Sequence, residues 1–350
     1  MPLVNPAAKS PHAAVRPEWL ALRHEPILEP DLPIVDPHHH LWDRPGARYM
    51  PYELLDDIGC GHRILGTVFV QCRSMLRATG PVEMAPVGEV EFVNGAAAMG
   101  ASGLYGPGRI CAGIVGGADL MLGDRVAPVL EAMIEVSGGR LRGIRNATVW
   151  HVDPVLRSTI ATVPAGLLRE PGFQRGAAQL GRYGLVLDIW AYHTQLDDVY
   201  RLARAIPEVT VVIDHFGGPI GTGPYRRRRD AMLAEWRAAM RKLAELPNTR
   251  VKLGGGGMPV LGFDFDQAIV PPGSMDLAAA LRPYVEDCIA WFGPSRCMFE
   301  SNFPVDKGMF SYAIAWNAFK RLAAGMAEDE KTALFSATAI STYRLQDQLS

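Results

Sequence analysis

A chain of 350 residues with 48% hydrophobic and 21% charged residues can bury a large core, which excludes disorder as its organising state. Its net charge of −2 gives no global basic field for nucleic acid and no acidic tail. No apolar run approaches the ~18 residues of a membrane span, and the N-terminus lacks the long apolar stretch of a secretory leader. The five cysteines, Cys60, Cys72, Cys111, Cys288 and Cys297, are odd in number and include no C-x-x-C pair. They suit a reducing compartment better than a disulfide framework, so a soluble, cytoplasmic protein is expected.

Residues 1–32 are Pro-rich and irregular. They read as an arm, anchored by Trp19 and Leu20, that wraps its own barrel or a neighbouring subunit; the second case would make a homodimer. Eight short runs rich in Val, Ile, Leu and Phe follow, as expected of strands buried on both faces. They are Leu32–Asp36, Leu65–Gln71, Arg109–Val115, Leu141–Asn146, Leu185–Trp190, Val209–Asp214, Arg250–Gly254 and Arg296–Asn302. Helical stretches separate them, among them Val126–Val136, Gly172–Tyr183, Leu196–Ile206, Asp230–Leu246 and Met275–Phe292. Leu233, Trp236, Met240 and Leu243 form one apolar stripe at helical spacing. Two helices close the chain, near Tyr312–Ala324 and Glu328–Tyr343. Eight strands alternating with helices predict an α/β fold, a single-domain (β/α)8 TIM barrel over residues 33–345. No G-x-G-x-x-G follows the first strand, which weighs against a dinucleotide fold. The basic run Arg226–Arg229 is a solvated helix start or a docking patch for an anion.

In such a barrel, chemistry gathers at the C-terminal ends of the strands. The first strand runs into Asp36-Pro-His38-His39-His40-Leu-Trp42. Alternation sends His38 and His40 the same way and His39 the other way, so the pair can share a metal ion or a substrate; a polar turn of satisfied histidines is the plainer alternative. Arg73, just past the second strand, binds an anionic group or forms a surface salt bridge. Arg145 on the fourth strand forks onto a carboxylate or makes a structural salt bridge. The fifth strand ends in Asp188-Ile-Trp190-Ala-Tyr192-His193 and the sixth in Asp214-His215-Phe216-Gly217-Gly218. Lys252 on the seventh faces the lumen or a helix, and Gly254–Gly257 beyond it suggest close backbone approach or a mobile loop. On the eighth, Glu300 and Asn302 share a face, and burial in the lumen would raise the Glu300 pKa toward general acid–base work.

These motifs together, Asp-x-His-x-His-x-Trp, Gly-Ile-Arg, Asp-His-x-Gly-Gly-Pro and Phe-x-Ser-x-Phe-Pro-Val in that order, resemble the amidohydrolase superfamily over about residues 33–345. The closer resemblance is to the amidohydrolase-related branch, which holds sugar-lactone lactonases, 2-pyrone-4,6-dicarboxylate lactonases and decarboxylases of aromatic or muconate-like acids. The resemblance implies that His38, His40 and His193 are metal ligands where a metal is present. It makes His215 the histidine of proton transfer or substrate polarisation. Arg145 stands where many members have a metal-bridging lysine, which implies at most one divalent ion, zinc or manganese, and an arginine free for an acidic small-molecule substrate.

One departure stands out. The family's eighth strand usually ends Gly-Ser-Asp-Trp-Pro; here Asn302 replaces the water-activating aspartate, and Glu300 replaces the glycine. Asn302 cannot take a proton. Glu300 therefore carries the lost carboxylate, or Asn302 only hydrogen-bonds substrate and the site works without metal. The expected activity is a lactonase opening a carboxylated lactone, with Glu300, His215 and Asn302 catalytic and Arg145, Tyr192 and Arg73 holding substrate. The alternatives are a metal-dependent non-oxidative decarboxylase and a ligand-binding barrel that lost catalysis.

Overall fold

A computed structural model describes residues 10–349 except 157 and 160; the first nine residues of the expected arm lie outside the described residues. The strands are β1 (Ile34–His39), β2 (Trp42–Arg44), β3 (Ala47–Tyr49), β4 (Ile64–Val70), β5 (Arg109–Gly116), β6 (Leu141–Arg145), β7 (Val186–Ile189), β8 (Val211–Ile213), β9 (Thr249–Leu253) and β10 (Cys297–Phe299). Eight of them pair in the parallel order β1-β4-β5-β6-β7-β8-β9-β10. The ring closes between β10 and β1, where the His40 amide donates to Phe303 at 2.8 Å and the Asn302 amide donates to His38 at 2.9 Å. The fold is the (β/α)8 barrel that the alternation of strands and helices predicts, and each of the eight apolar runs contributes one strand.

The helices are α1 (Pro17–Leu20), α2 (Pro51–Ile58), α3 (Val87–Ala101), α4 (Ala127–Val136), α5 (Pro171–Arg182), α6 (Leu196–Ala205), α7 (Arg229–Ala244), α8 (Ser274–Phe292), α9 (Tyr312–Leu322), α10 (Glu328–Thr332), α11 (Thr338–Tyr343) and α12 (Gln346–Leu349). No helix among the described residues is long and apolar enough to cross a membrane. The expected single closing helix over 328–343 is interrupted by a π-helical turn at Ala333–Ala337. The hairpin β2–β3 has no counterpart in the sequence reading, because three-residue strands carry too little periodicity to register.

Alternation along each strand divides the core in two. Ile34, Ile114, Leu187, Ile213, Leu253 and Phe299 face the helices. Val35, Val68, Val115, Val186, Val212 and Met298 fill the lumen with Tyr343 and Leu345 from the C-terminal segment. That segment plugs the lower lumen where two glycines leave room. A Cβ on Gly113 would lie 2.9 Å from Leu345 Cδ2, and one on Gly66 would lie 2.3 Å from Leu349 Cδ2. The segment fills the barrel from below, and the site lies at the C-terminal ends of the strands.

Candidate active site

A shift in the β1–β4 register between Asp36 and His39 sets the first feature of the site. Val35 points into the lumen and Asp36, by alternation, outward, where it accepts from Tyr312 Oη at 3.0 Å and from the Ser301 amide at 3.0 Å. Past the irregularity His38 returns to the lumen, and His39 points out, where its Nε2 lies 2.8 Å from Thr67 Oγ1. His40 follows His38, with ring centroids 5.0 Å apart. Its Nδ1–H donates to the Val70 carbonyl at 2.7 Å, which leaves Nε2 as the open nitrogen.

Around His38 the other strands deliver Arg145, Asp188, Asp214, Lys252 and Glu300, all buried. Arg145 Nη1 lies 3.3 Å from His38 Nε2 and 3.3 Å from Asp214 Oδ2. Lys252 Nζ lies 3.2 Å from His38 Nδ1, 3.3 Å from Asp214 Oδ1 and 2.6 Å from Asp188 Oδ2. Burial opposes every charge here, and the partners decide which survive. Burial would lower the Lys252 ammonium, but Asp188 and Asp214 outweigh it and raise its pKa. Burial would raise Asp214, yet Lys252 and His38 hold it well below the usual carboxylate range. For Asp188 burial wins, and its pKa rises to about 6. Burial and the neighbouring Lys252 lower the His38 pKa, against Glu300 and Asp214, which raise it.

Glu300 accepts from His215 Nδ1 at 2.7 Å and meets His38 Nδ1 at 2.8 Å. Burial pushes its carboxyl up, but the two imidazoles prevail and hold it at about 2. The raised pKa expected for Glu300 is therefore corrected: it is a buried anion paired with histidines. His215 is set by backbone strain, since His215, Phe216, Gly217 and Gly218 all have positive φ, at 54°, 56°, 70° and 60°. A non-glycine residue there costs ~1–2 kcal/mol, a cost that persists only where the surroundings impose it. Gly254 and Gly255 make that fit possible. A Cβ on Gly254 would lie 2.4 Å from Glu300 Cγ, and one on Gly255 would lie 2.7 Å from His215 Nδ1. Close backbone approach explains these two glycines.

Above this cluster opens a cleft at the C-terminal ends of the strands. His40, Arg145, His215 and Asn302 line it together with Arg44, Arg73, Trp42, Trp190 and His12. None of the described residues lining it is acidic. His12, carried by the N-terminal segment, stacks on Trp42 at 6.1 Å, and Trp42 stacks on His40 at 5.6 Å. Burial drives the His12 pKa down to about 3, so the ring is neutral.

The fold thus brings together His38, His40, Arg145, His215, Glu300 and Asn302, and sets Arg73 at the rim. Two of the sequence-selected residues lie elsewhere. His193 begins a short turn after β7; its Nδ1 accepts from the Ile220 amide at 3.3 Å and its ring meets Tyr225 edge-on at 5.0 Å. Tyr192 bonds the Leu156 carbonyl and Ser158 Oγ, bracing the neighbouring loop. Among the described residues, His38, His40 and His193 do not form a group whose donor atoms all lie within 4.8 Å of one another. Among the described residues, the donors that converge are His38, Asp214 and His215. One divalent ion fits them, because two imidazoles and a carboxylate are a donor set that suits zinc or manganese. Lys252 faces the lumen. Asp214 lies two residues beyond the lumen-facing Val212, so period two is the signal that points it to the centre. Arg44 and His12 carried no signal, because only the hairpin and the folded-back arm bring them to the cleft.

Residues 35–345 match the family model described as Amidohydrolase. The chain is 32% identical to the uncharacterized protein y4mH of Sinorhizobium fredii, over 90% of this chain and 99% of that one. It is 30% identical to an L-fucono-1,5-lactonase of Burkholderia multivorans, over 67% of this chain and 72% of that enzyme. A zinc-bound amidohydrolase structure from Burkholderia multivorans superposes with a TM-score of 0.67 at 26% identity, covering 89% of this chain and 99% of that one.

Proposed function

The chain belongs to the amidohydrolase family, and on that premise we propose that this hydrolytic enzyme opens the ring of a carboxylated lactone. The observation that carries the reading is the His215–Glu300 pair at the base of a cleft lined by Arg44, Arg73 and Arg145 without an acidic residue among its described walls. Similarity to a lactonase supports the ester-like ring. The arginines support a substrate with carboxylate groups, which they bind through charge-assisted hydrogen bonds.

His215 Nδ1–H donates to Glu300, which fixes the tautomer and leaves Nε2 for the cleft. Nε2 takes the proton of a water as its oxygen attacks the lactone carbonyl. Arg145, at the cleft wall, steadies the charge that develops on the carbonyl oxygen. The ring C–O bond then breaks, and His215 Nε2–H returns the proton to the departing oxygen. Glu300 stays ionised throughout as the positioning carboxylate. His38, Asp214 and His215 are the residues that would hold a divalent ion, which when bound supplies Lewis-acid polarisation of the carbonyl. His215 has one nitrogen left after Glu300, so it serves as ligand or as base, and strong chelation separates the two roles: activity that survives it assigns the base.

The test is an assay of the purified enzyme against carboxylated lactones, an uncharged sugar lactone and an aromatic carboxylic acid. Proton release from ring opening and carbon dioxide release are followed separately. Turnover of the carboxylated lactones with loss of activity in His215→Gln is expected. Carbon dioxide as the product would replace the reading with a decarboxylase. Equal kcat/KM for the uncharged lactone would remove the carboxylate from the substrate class.

A further inference from the structure

Asp214 offers two donor oxygens and His38 one unprotonated nitrogen, and a protein cation stands within 3.3 Å of each, whichever ring nitrogen carries the proton. Arg145 Nη1 is 3.3 Å from His38 Nε2 and 3.3 Å from Asp214 Oδ2. Lys252 Nζ is 3.2 Å from His38 Nδ1 and 3.3 Å from Asp214 Oδ1. The ammonium is held on further sides by Asp188 Oδ2 at 2.6 Å and by the Tyr343 ring, 5.3 Å from Nζ to the centroid. All of these groups are buried, so water screens little of the repulsion between a bound ion and its cationic neighbours. An ion drawn to His38 and Asp214 competes with the guanidinium and the ammonium for the same lone pairs.

We propose that Lys252 and Arg145 are resident cations of this centre, holding His38 and Asp214 in place of an ion and keeping its affinity for divalent metal low. The proposal rests on the reading of His38, Asp214 and His215 as the ion's ligands. It implies that zinc or manganese binds the wild-type protein loosely and is removed by dialysis, and that removing the lysine charge creates a tight site. Asp188 and Asp214, having lost the ammonium they share, then turn to a cation from solution.

The experiment titrates Mn2+ and Zn2+ into chelator-dialysed wild-type protein, Lys252→Met and Lys252→Arg, reading bound metal by equilibrium dialysis and elemental analysis. Lys252→Met is expected to bind ~10–100-fold more tightly than wild type, the range that a partner of a ligand commands. Lys252→Arg, which keeps the charge, should stay near the wild-type value. An affinity in Lys252→Met no higher than wild type overturns the proposal. Should Lys252→Met fold only when Mn2+ or Zn2+ is supplied, that dependence supports it. Should it fold under neither condition, Arg145→Met in the same titration decides by the same criterion. Adding Asp214→Asn to Lys252→Met separates the two readings. Loss of the gained binding supports the ligand set, and its persistence leaves the resident cations standing while the ligand set fails.

Discussion

At Glu300 two imidazoles share one carboxylate in a lumen closed from below, and each bond restrains a different ring. His215 keeps the tautomer that exposes Nε2, and His38 stays in line with Asp214 and Lys252. Replacing Glu300 by Gln preserves shape but removes the charge and the second strong acceptor. We expect kcat to fall ~10²–10⁴-fold with little change in KM, measured by steady-state kinetics on the best lactone. A drop confined to KM would contradict the positioning role. Period two along the eighth strand was enough to place Glu300 and Asn302 on the lumen face. It was not enough to predict the direction of the Glu300 pKa, because that depends on two histidines 85 and 262 residues away in sequence.

The loop after β9 and the segment before β1 carry the next layer of control. Gly255 has a φ of 77° and its Cβ position is filled by His215. Gly255→Ala is expected to destabilise the protein by ~1–3 kcal/mol in chemical denaturation and to lower kcat, since the displaced ring loses Glu300. Unchanged stability and kcat would show that the loop yields freely. The N-terminal segment is docked on α9. Lys320 Nζ donates to the Leu28 and Glu29 carbonyls at 2.7 and 2.8 Å and to His62 Nδ1 at 2.8 Å. His62 must be neutral to accept that bond, and burial together with Lys320 lowers its pKa to about 4. A folded pKa below the unfolded value of 6.5 gives stability that is complete above pH 6.5 and lost as pH falls through 4. Hydrogen exchange at residues 25–30 should therefore speed up between pH 6.5 and 4, after correction for the intrinsic rate. His62→Gln should remove that pH dependence; a slope that persists in it would locate the titrating group elsewhere.

Over the whole molecule, the C-terminal segment seals the barrel and joins its floor to the charged centre. Tyr343 Oη donates to Asp188 Oδ2 at 2.8 Å, and Leu345 packs among the lumen valines. Leu345→Ala should cost ~2–4 kcal/mol in denaturant unfolding, the range for a leucine truncated in a well-packed interior. A cost below ~1 kcal/mol would mean that the plug is loosely seated. The amino-acid sequence by itself determined the eight strands, the alternation with helices and the histidine-rich strand ends, because these follow from local periodicity and from chemistry that strand ends carry. Only the tertiary structure decided the site's electrostatics. It returned His38 to the lumen past the register shift, sent His193 and Tyr192 to other contacts, and drew in His12 and Arg44. It also set a lysine and an arginine on either side of His38-x-His40's first imidazole. Those outcomes depend on distances between side chains from different strands, and such distances exist only once the barrel has closed.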